Sequence, residues 1–503
     1  MIQRNLLRKR TKIVCTLGPA TDSASLIDRL VRSGMNVARL NLSHGTHDSH
    51  AKTIKTVRRI SDRLGVEVAI IMDLPGPKYR TGKLKGGRAT LKKGANVTIT
   101  ISDVEGDETL LPVNLPNLPQ DVKLGDTVLL DDGAMQLKVR EKTSTEVRCR
   151  VVVGGILTER RGLVVPGMPT SVPFVTDALK EHLLFAVQQK PDYLAISFVS
   201  SVGDVSDVQS LLRDQNSETP IISKIERGQA VRDFDDILLV SDGIMVARGD
   251  LGVDIPLEKV PLVQKDIISK CNRVGKPVIT ATQMLESMVT SARPTRAEVT
   301  DIANAIFDGT DAIMLSAETS IGKYPLASVR MMARIAMETE KKLPYDLMLA
   351  ERCSWLERET AELISYNACY TAAALGAKTI VAYTQSGSTA RRVSKYRPKV
   401  PIIGITSHQT VCGRLLLYWG VYPVHIAKTP SSIDRMFSSA LEQARNLVMM
   451  KPDDQVVITG GIPLGTAGAT NLLKVEKIQA WKRSVGSDVN SGHETFHDTT
   501  SPA

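Results

Sequence analysis

The stretch Pro220-Ile221-Ile222-Ser223-Lys224-Ile225-Glu226-Arg227, followed by Gly243-Ile244-Met245-Val246-Ala247-Arg248-Gly249-Asp250-Leu251-Gly252, decides the fold. Each half is a short, continuous apolar run that stops in charged residues or glycine. Continuous rather than alternating apolarity is what a strand covered on both faces needs, as in a parallel sheet. Working outward, the pattern recurs at Lys12–Leu17, Asn36–Asn41, Val68–Asp73, Asp192–Phe198, Pro277–Thr282 and Asp311–Ser316, which makes eight runs. Helical patterns such as Ser23–Gly34, Leu257–Val274 and Thr295–Phe307 lie between most of them. Eight strands alternating with helices predict an α/β fold, a (β/α)8 TIM barrel whose polar strand ends gather at one mouth.

Two departures predict further domains. Between Asp73 and Asp192, Gly, Pro and Asp turns separate β-like pieces at Asn96–Ile101, Thr127–Leu130, Met135–Val139 and Glu146–Val153. They read as a small inserted β-barrel lid over the barrel mouth. After about residue 345, helices near Glu359–Leu375 and Ser432–Met449 alternate with strands Thr379–Tyr383, Pro401–Thr406, Val421–Ile426 and Gln455–Thr459, an open α/β domain. The expected division is a barrel over 1–73 and 172–345, a lid over 74–171, a C-terminal α/β domain over 346–481, and a polar, disordered tail over 482–503.

Composition narrows the class. No apolar run approaches the ~20 residues that span a bilayer, and the basic start Met1–Arg10 lacks the apolar stretch of a secretion signal. Six scattered cysteines with no Cys-x-x-Cys pair argue against a zinc site or a disulfide framework and suit a reducing, cytoplasmic setting. The net charge of +10 comes without a basic run interleaved with aromatics, so steering of small phosphorylated anions explains it better than nucleic-acid binding.

The chemistry-bearing residues close the predicted strands. Lys224 and Glu226 are two apart and face one way on a strand. A lone Lys-x-Glu is usually an ordinary ion pair, but Asp250 ends the next strand at the same mouth. Two carboxylates with open positions suit Mg²⁺. Arg39, Asn41 and Ser43 alternate at the second strand end, where a guanidinium fork beside amide and hydroxyl oxygens suits phosphate and cation binding. His44 follows, and Asp73 leads into the rigid turn Leu74-Pro75-Gly76-Pro77-Lys78 and on to Arg80. Thr282, Ser316 and Glu318 close the seventh and eighth runs.

Read together, "ARLNLSHG", "IISKIERGQAV", "VARGDLGV", "ATQMLESM" and "PTRAEVTDIANAIFDGTDAIMLSAET" resemble the signature segments of the pyruvate kinase family, in that family's order. "YTQSGSTARRVSKYRP" and "ATNLLKV" extend the similarity to about residue 475. The resemblance implies phosphoryl transfer from phosphoenolpyruvate to ADP, giving pyruvate and ATP in glycolysis. It also implies a C-terminal regulatory domain and a homotetramer. Residue by residue, it implies Glu226 and Asp250 as ligands of Mg²⁺, with Mn²⁺ an alternative, and Lys224 and Arg39 as the cations on the moving phosphoryl group. Gly249, Asp250 and Thr282 hold the substrate carboxylate, and Thr282, Ser316 and Glu318 relay the proton that the enolate needs. Pro19, Asn41, His44, Arg80 and Arg161 lie near the nucleotide.

Family members that require K⁺ hold it at positions matching Asn41, Ser43, Asp73 and the carbonyl of residue 74. Many carry Glu where this chain has Lys78, so its ammonium is expected to replace the ion and make K⁺ unnecessary. The loop Thr384, Ser386, Gly387, Ser388 and Thr389 precedes a helix expected near Ala390. It matches the family's seat for the phosphate of an allosteric activator, a sugar phosphate or AMP. Helix capping alone would explain such a loop equally well without the resemblance. The rival readings are a lyase or aldolase of enolpyruvate chemistry, a catalytically silent scaffold, and a nucleic-acid binder. The lid entry at Arg80 and the intact Lys224, Glu226 and Asp250 disfavour the first two.

Overall fold

The computed structural model describes residues 7–168, 172–466 and 468–479. The tail expected over 482–503 lies outside them. Eight strands, β1 (Lys12–Thr16), β2 (Val37–Asn41), β3 (Ala69–Leu74), β4 (Tyr193–Ile196), β5 (Ile221–Ile225), β6 (Gly243–Ala247), β7 (Val278–Ala281) and β8 (Ala312–Leu315), form a closed barrel. Its order is β1-β8-β7-β6-β5-β4-β3-β2, with every neighbour parallel. Every strand residue is buried except the half-buried Asn41 at the mouth. Alternate residues fill the interior, among them Val14, Ile71, Ile222, Met245, Ile279 and Met314, while the others pack outward on the helices.

Local signals set the helix ends. Ser23 caps Ala24–Ser33, and Gly34 closes it by donating its amide to the Leu30 and Val31 carbonyls. Thr295 and Glu298 form a reciprocal capping box at the start of Arg296–Asp308.

The inserted domain leaves the barrel after β3. Its six-stranded sheet runs, in hydrogen-bonded order, Leu163–Val164, Thr127–Leu130, Met135–Lys142, Glu146–Val153, Asn96–Thr100 and Leu110–Pro112. A separate ladder pairs Arg88–Leu91 with Gly155–Thr158. One core, including Leu91, Val97, Leu130, Leu137, Val151 and Leu157, holds both ladders together.

The C-terminal sheet contains β9 (Thr379–Tyr383), β10 (Ile402–Thr406), β11 (Val421–His425), β12 (Gln455–Gly460) and β13 (Leu472–Lys477), in the order β11-β10-β9-β12-β13. Only β13 is antiparallel. This domain closes the floor of the barrel: Leu416 and Leu417 enter the interior core, and the Tyr193 hydroxyl donates to the Arg414 carbonyl at 2.8 Å.

Candidate active site

Strand termination builds the mouth. β5 delivers Lys224 with its ammonium buried, 2.7 Å from Ser197 Oγ, 3.1 Å from Glu226 Oε1 and 3.3 Å from Asp73 Oδ1. β2 delivers Arg39, whose Nε donates to Asp73 Oδ2 at 2.7 Å and whose Nη1 donates to Thr16 Oγ1 at 2.8 Å. Burial alone would raise the Asp73 carboxyl, but Arg39 and Lys224 outweigh it and hold the group below the usual carboxylate range. Burial would likewise lower Lys224, yet Asp73 and Glu226 hold its ammonium above the ordinary lysine value. Lys224 is thus kept charged beside Arg39 in a buried site, where charge acts most strongly.

Glu226 is pushed above the carboxylate range by burial and by its neighbours Asp250 and Asp73, against the pull of Lys224. Its Oε2 accepts the Phe198 amide at 2.6 Å. Phe198 sits at φ 60°, a costly conformation for a bulky residue and one that clusters at functional sites. A divalent cation between Glu226 and Asp250 would relieve their repulsion. No grouping of three or more His, Cys, Asp or Glu suited to a metal occurs among the described residues. The chemistry of two carboxylates suits an ion such as magnesium, which keeps water and substrate oxygens in its shell.

Asp250 lies in the short helix Arg248–Asp254 that follows β6. The Gly249 amide, expected to face substrate, donates to Thr282 Oγ1 at 2.8 Å. Thr282 stands at φ 68° and Gln283 at φ 55°. Arg248 braces this turn, donating to the Thr282 carbonyl at 2.7 Å and to Asp301 Oδ1 at 2.8 Å. At the end of β8, Glu318 is fully buried and accepts the Leu285 amide at 2.9 Å and the Ser316 amide at 2.6 Å. Burial raises its carboxyl against those bonds. Ser316 Oγ is buried with no hydrogen-bond partner among the described residues, as a group awaiting substrate or water would be.

Other sequence candidates fall on the barrel rim and the lid. Asn41 is directly across from Asp73 in the β2–β3 register, and its Oδ1 accepts the Ser43 amide at 3.2 Å. The Leu74 carbonyl accepts the Ser197 amide at 3.3 Å. Pro19 and His44 are exposed on the rim. Arg80 and Arg161 are exposed on adjoining lid segments, Arg80 Nη1 donating to the Arg160 carbonyl at 3.0 Å and Arg161 Nε to Thr158 Oγ1 at 2.6 Å. Lys78 Nζ lies 2.9 Å from Asp250 Oδ1, on an expected metal carboxylate. Thr16, Ser197, Phe198 and Arg248 belong to the network but escaped the sequence reading. Ser197 carried a usable signal, being the first polar residue at the end of the fourth apolar run.

In the C-terminal domain the helix Ser388–Lys395 starts two residues earlier than expected, behind Gly387 at φ 89°. Thr384, Gln385, Ser388 and Thr389 line a pocket with Thr406, Ser407 and Thr429. Thr384 Oγ1 is buried and unpartnered among the described residues, while Ser386 Oγ donates to Ser388 Oγ at 3.3 Å.

The fold and site define a TIM-barrel protein whose mouth gathers two buried cations, Lys224 and Arg39, with the carboxylates Asp73 and Glu226. Known proteins narrow the class. The model of the pyruvate kinase barrel domain matches residues 8–329, and that of the pyruvate kinase alpha/beta domain matches residues 362–476. The pyruvate kinase of Sporosarcina psychrophila is 44% identical over 490 residues, covering 96% of this chain and 83% of that one. That of Geobacillus stearothermophilus is 44% identical over 475 residues, covering 94% and 81%. The crystal structure of a pyruvate kinase from Cryptosporidium parvum superposes with a TM-score of 0.89 at 36% identity, covering 94% of this chain and 97% of that one. The chain belongs to the pyruvate kinase family, and it is a phosphotransferase.

Proposed function

We propose that the phosphoryl group of phosphoenolpyruvate lies against Lys224 and Arg39 while it passes to ADP. The buried ammonium of Lys224, held charged by Asp73 and Glu226, is the observation that carries this reading. Phosphoryl transfer needs little covalent help, and fixed positive charge aimed at the moving group lowers the barrier. Thr282, with the amides at Gly249 and Asp250, orients the substrate carboxylate once the Gly249–Thr282 bond opens. Glu226 and Asp250 would hold Mg²⁺ or Mn²⁺, which supplies charge neutralisation at the phosphate and enolate oxygens. Pro19, Asn41, His44, Arg80 and Arg161 border the nucleotide. When the bond from phosphorus to the enol oxygen breaks, the enolate takes a proton on carbon, and Thr282, Ser316 and Glu318 relay it from water.

Lys78 supplies the monovalent charge that Asn41, Ser43, Asp73 and the Leu74 carbonyl would otherwise draw from K⁺, so the enzyme works without that ion. Pyruvate formation from phosphoenolpyruvate, ADP and Mg²⁺ in K⁺-free buffer tests this. Full activity is expected, with a K⁺ requirement appearing in Lys78→Glu, and a strict requirement in the unmodified protein would contradict it. A phosphorylated activator, a sugar phosphate or AMP, seats its phosphate on Thr384, Ser386, Gly387, Ser388 and Thr389. The unpartnered Thr384 hydroxyl beside a helix start supports that seat. Activation should vanish when Ser386 and Thr389 are both changed to alanine. The enzyme works in the cytoplasm as a homotetramer, with no nucleic-acid or membrane partner. Among the described residues no helix is long and apolar enough to cross a membrane.

A further inference from the structure

Lys78 carries a contact that its expected role does not explain. Its ammonium is 2.9 Å from Asp250 Oδ1, with the two side chains 27% and 32% exposed. Glu226, the other carboxylate of the pair, already has Lys224 at 3.1 Å. Each acidic group that would hold the divalent cation therefore has its own lysine, and the Asp250 pair is the more open to solvent.

The setting aims Lys78 there. It stands on the short link from β3 to the lid, and its ammonium is 5.5 Å from the centre of the Phe198 ring, whose backbone amide binds Glu226. Arg227 steadies the same link from the barrel side, donating to the Pro77 carbonyl at 3.3 Å.

We infer that Lys78 is the resident counter-ion of Asp250, so that a divalent cation binds only by displacing its ammonium. A metal ion on Asp250 and an ammonium in contact with the same oxygen exclude one another, by both charge and space. The displaced side chain is long and flexible, and it swings from the metal carboxylate to the seat of Asn41, Ser43 and Asp73. That last clause rests on the proposed replacement of K⁺. Lys78 then has two places, and loading of the divalent ion moves it from one to the other. Metal binding and completion of the monovalent seat become one event.

The test is Mn²⁺ binding to the substrate-free enzyme, read from the electron paramagnetic resonance signal of free aqueous Mn²⁺. Lys78→Met and Lys78→Gln are compared with the unmodified protein and with Lys85→Met, which removes a cation of the inserted domain that pairs with Asp107 rather than Asp250. Loss of a partly exposed ion pair predicts Mn²⁺ binding about three- to fivefold tighter in both Lys78 variants. Lys85→Met should change it distinctly less. Equal or weaker binding in the Lys78 variants, or equal tightening in Lys85→Met, would overturn the counter-ion assignment. The K⁺ dependence of the Lys78→Met enzyme separates the two readings. A new K⁺ requirement supports the second place of the ammonium. Tighter Mn²⁺ without one overturns that clause and sustains the first.

Discussion

Thr282 shows how much the site depends on single conformations. A β-branched residue at φ 68° is strained, and its hydroxyl is fixed between the Gly249 amide and the Ala281 carbonyl. Thr282→Gly should unfold within about 1 kcal/mol of the unmodified protein, because relieved strain offsets lost hydrogen bonds. On the role proposed for its hydroxyl, kcat should fall at least ~100-fold. Denaturant melts and steady-state rates on one preparation check both. Lys224→Met should lose ~1000-fold or more in kcat. The raised Lys224 value adds a sign: its ammonium persists past the ordinary lysine range, so any activity loss below about pH 10 must come from another group. Asp73 works in the opposite direction. Its value is lowered, so the stability it contributes is present above about pH 3.9 and is lost as the pH falls through its folded value.

Elements carry these residues into place, and the joints between elements are where change is least tolerated. At Gly76, on the link into the lid, a Cβ would meet the Ser197 carbonyl oxygen at 2.1 Å. Gly76→Ala should displace Ser197 and Phe198, lowering kcat by tenfold or more with the barrel still folded, as circular dichroism and rates would register. Asp192, just before β4, is raised to about 6 by burial, with Glu67 adding and the Ile70 amide, Arg58 and Arg414 opposing. A raised carboxyl favours the neutral form, so native stability drops as the pH climbs from about 3.9 to about 6. Asp192→Asn should gain on the unmodified protein at pH 8 and lose that gain near pH 4, in urea midpoints. The barrel strands were legible to within a residue or two because continuous apolarity is intrinsic to them. Arg88–Leu91, Leu110–Pro112, Gly155–Thr158 and Leu163–Val164 were not, because these short pieces become strands only through their partners. Strand-end alternation found Lys224, Glu226, Arg39 and Asp73. It could not find Thr16 or Arg248, which join the site across strands, nor the turn of the lid link that sets Lys78 on Asp250.

Across the whole molecule, the buried Arg397 is among the residues that tie the two large domains together. Arg397, two residues after the helix Ser388–Lys395, donates to Asp311 Oδ1 at 2.7 Å and to the Gly309 carbonyl at 2.8 Å. Asp311 directly precedes β8, and Ser316 directly follows it. Arg397→Met removes the cationic partner of a buried carboxylate, which keeps the Trp419 and Val278 amides, and should cost about 3 kcal/mol, read as a lowered calorimetric midpoint. The central claim, phosphoryl transfer from phosphoenolpyruvate to ADP, is tested most directly by following the reaction with phosphorus NMR in the presence of Mg²⁺. The account predicts that the phosphoenolpyruvate signal disappears as the γ-phosphate of ATP grows, with pyruvate in equal amount and transfer by Lys224→Met slowed ~1000-fold or more. Phosphoenolpyruvate left intact, or converted to inorganic phosphate without ATP, would contradict it.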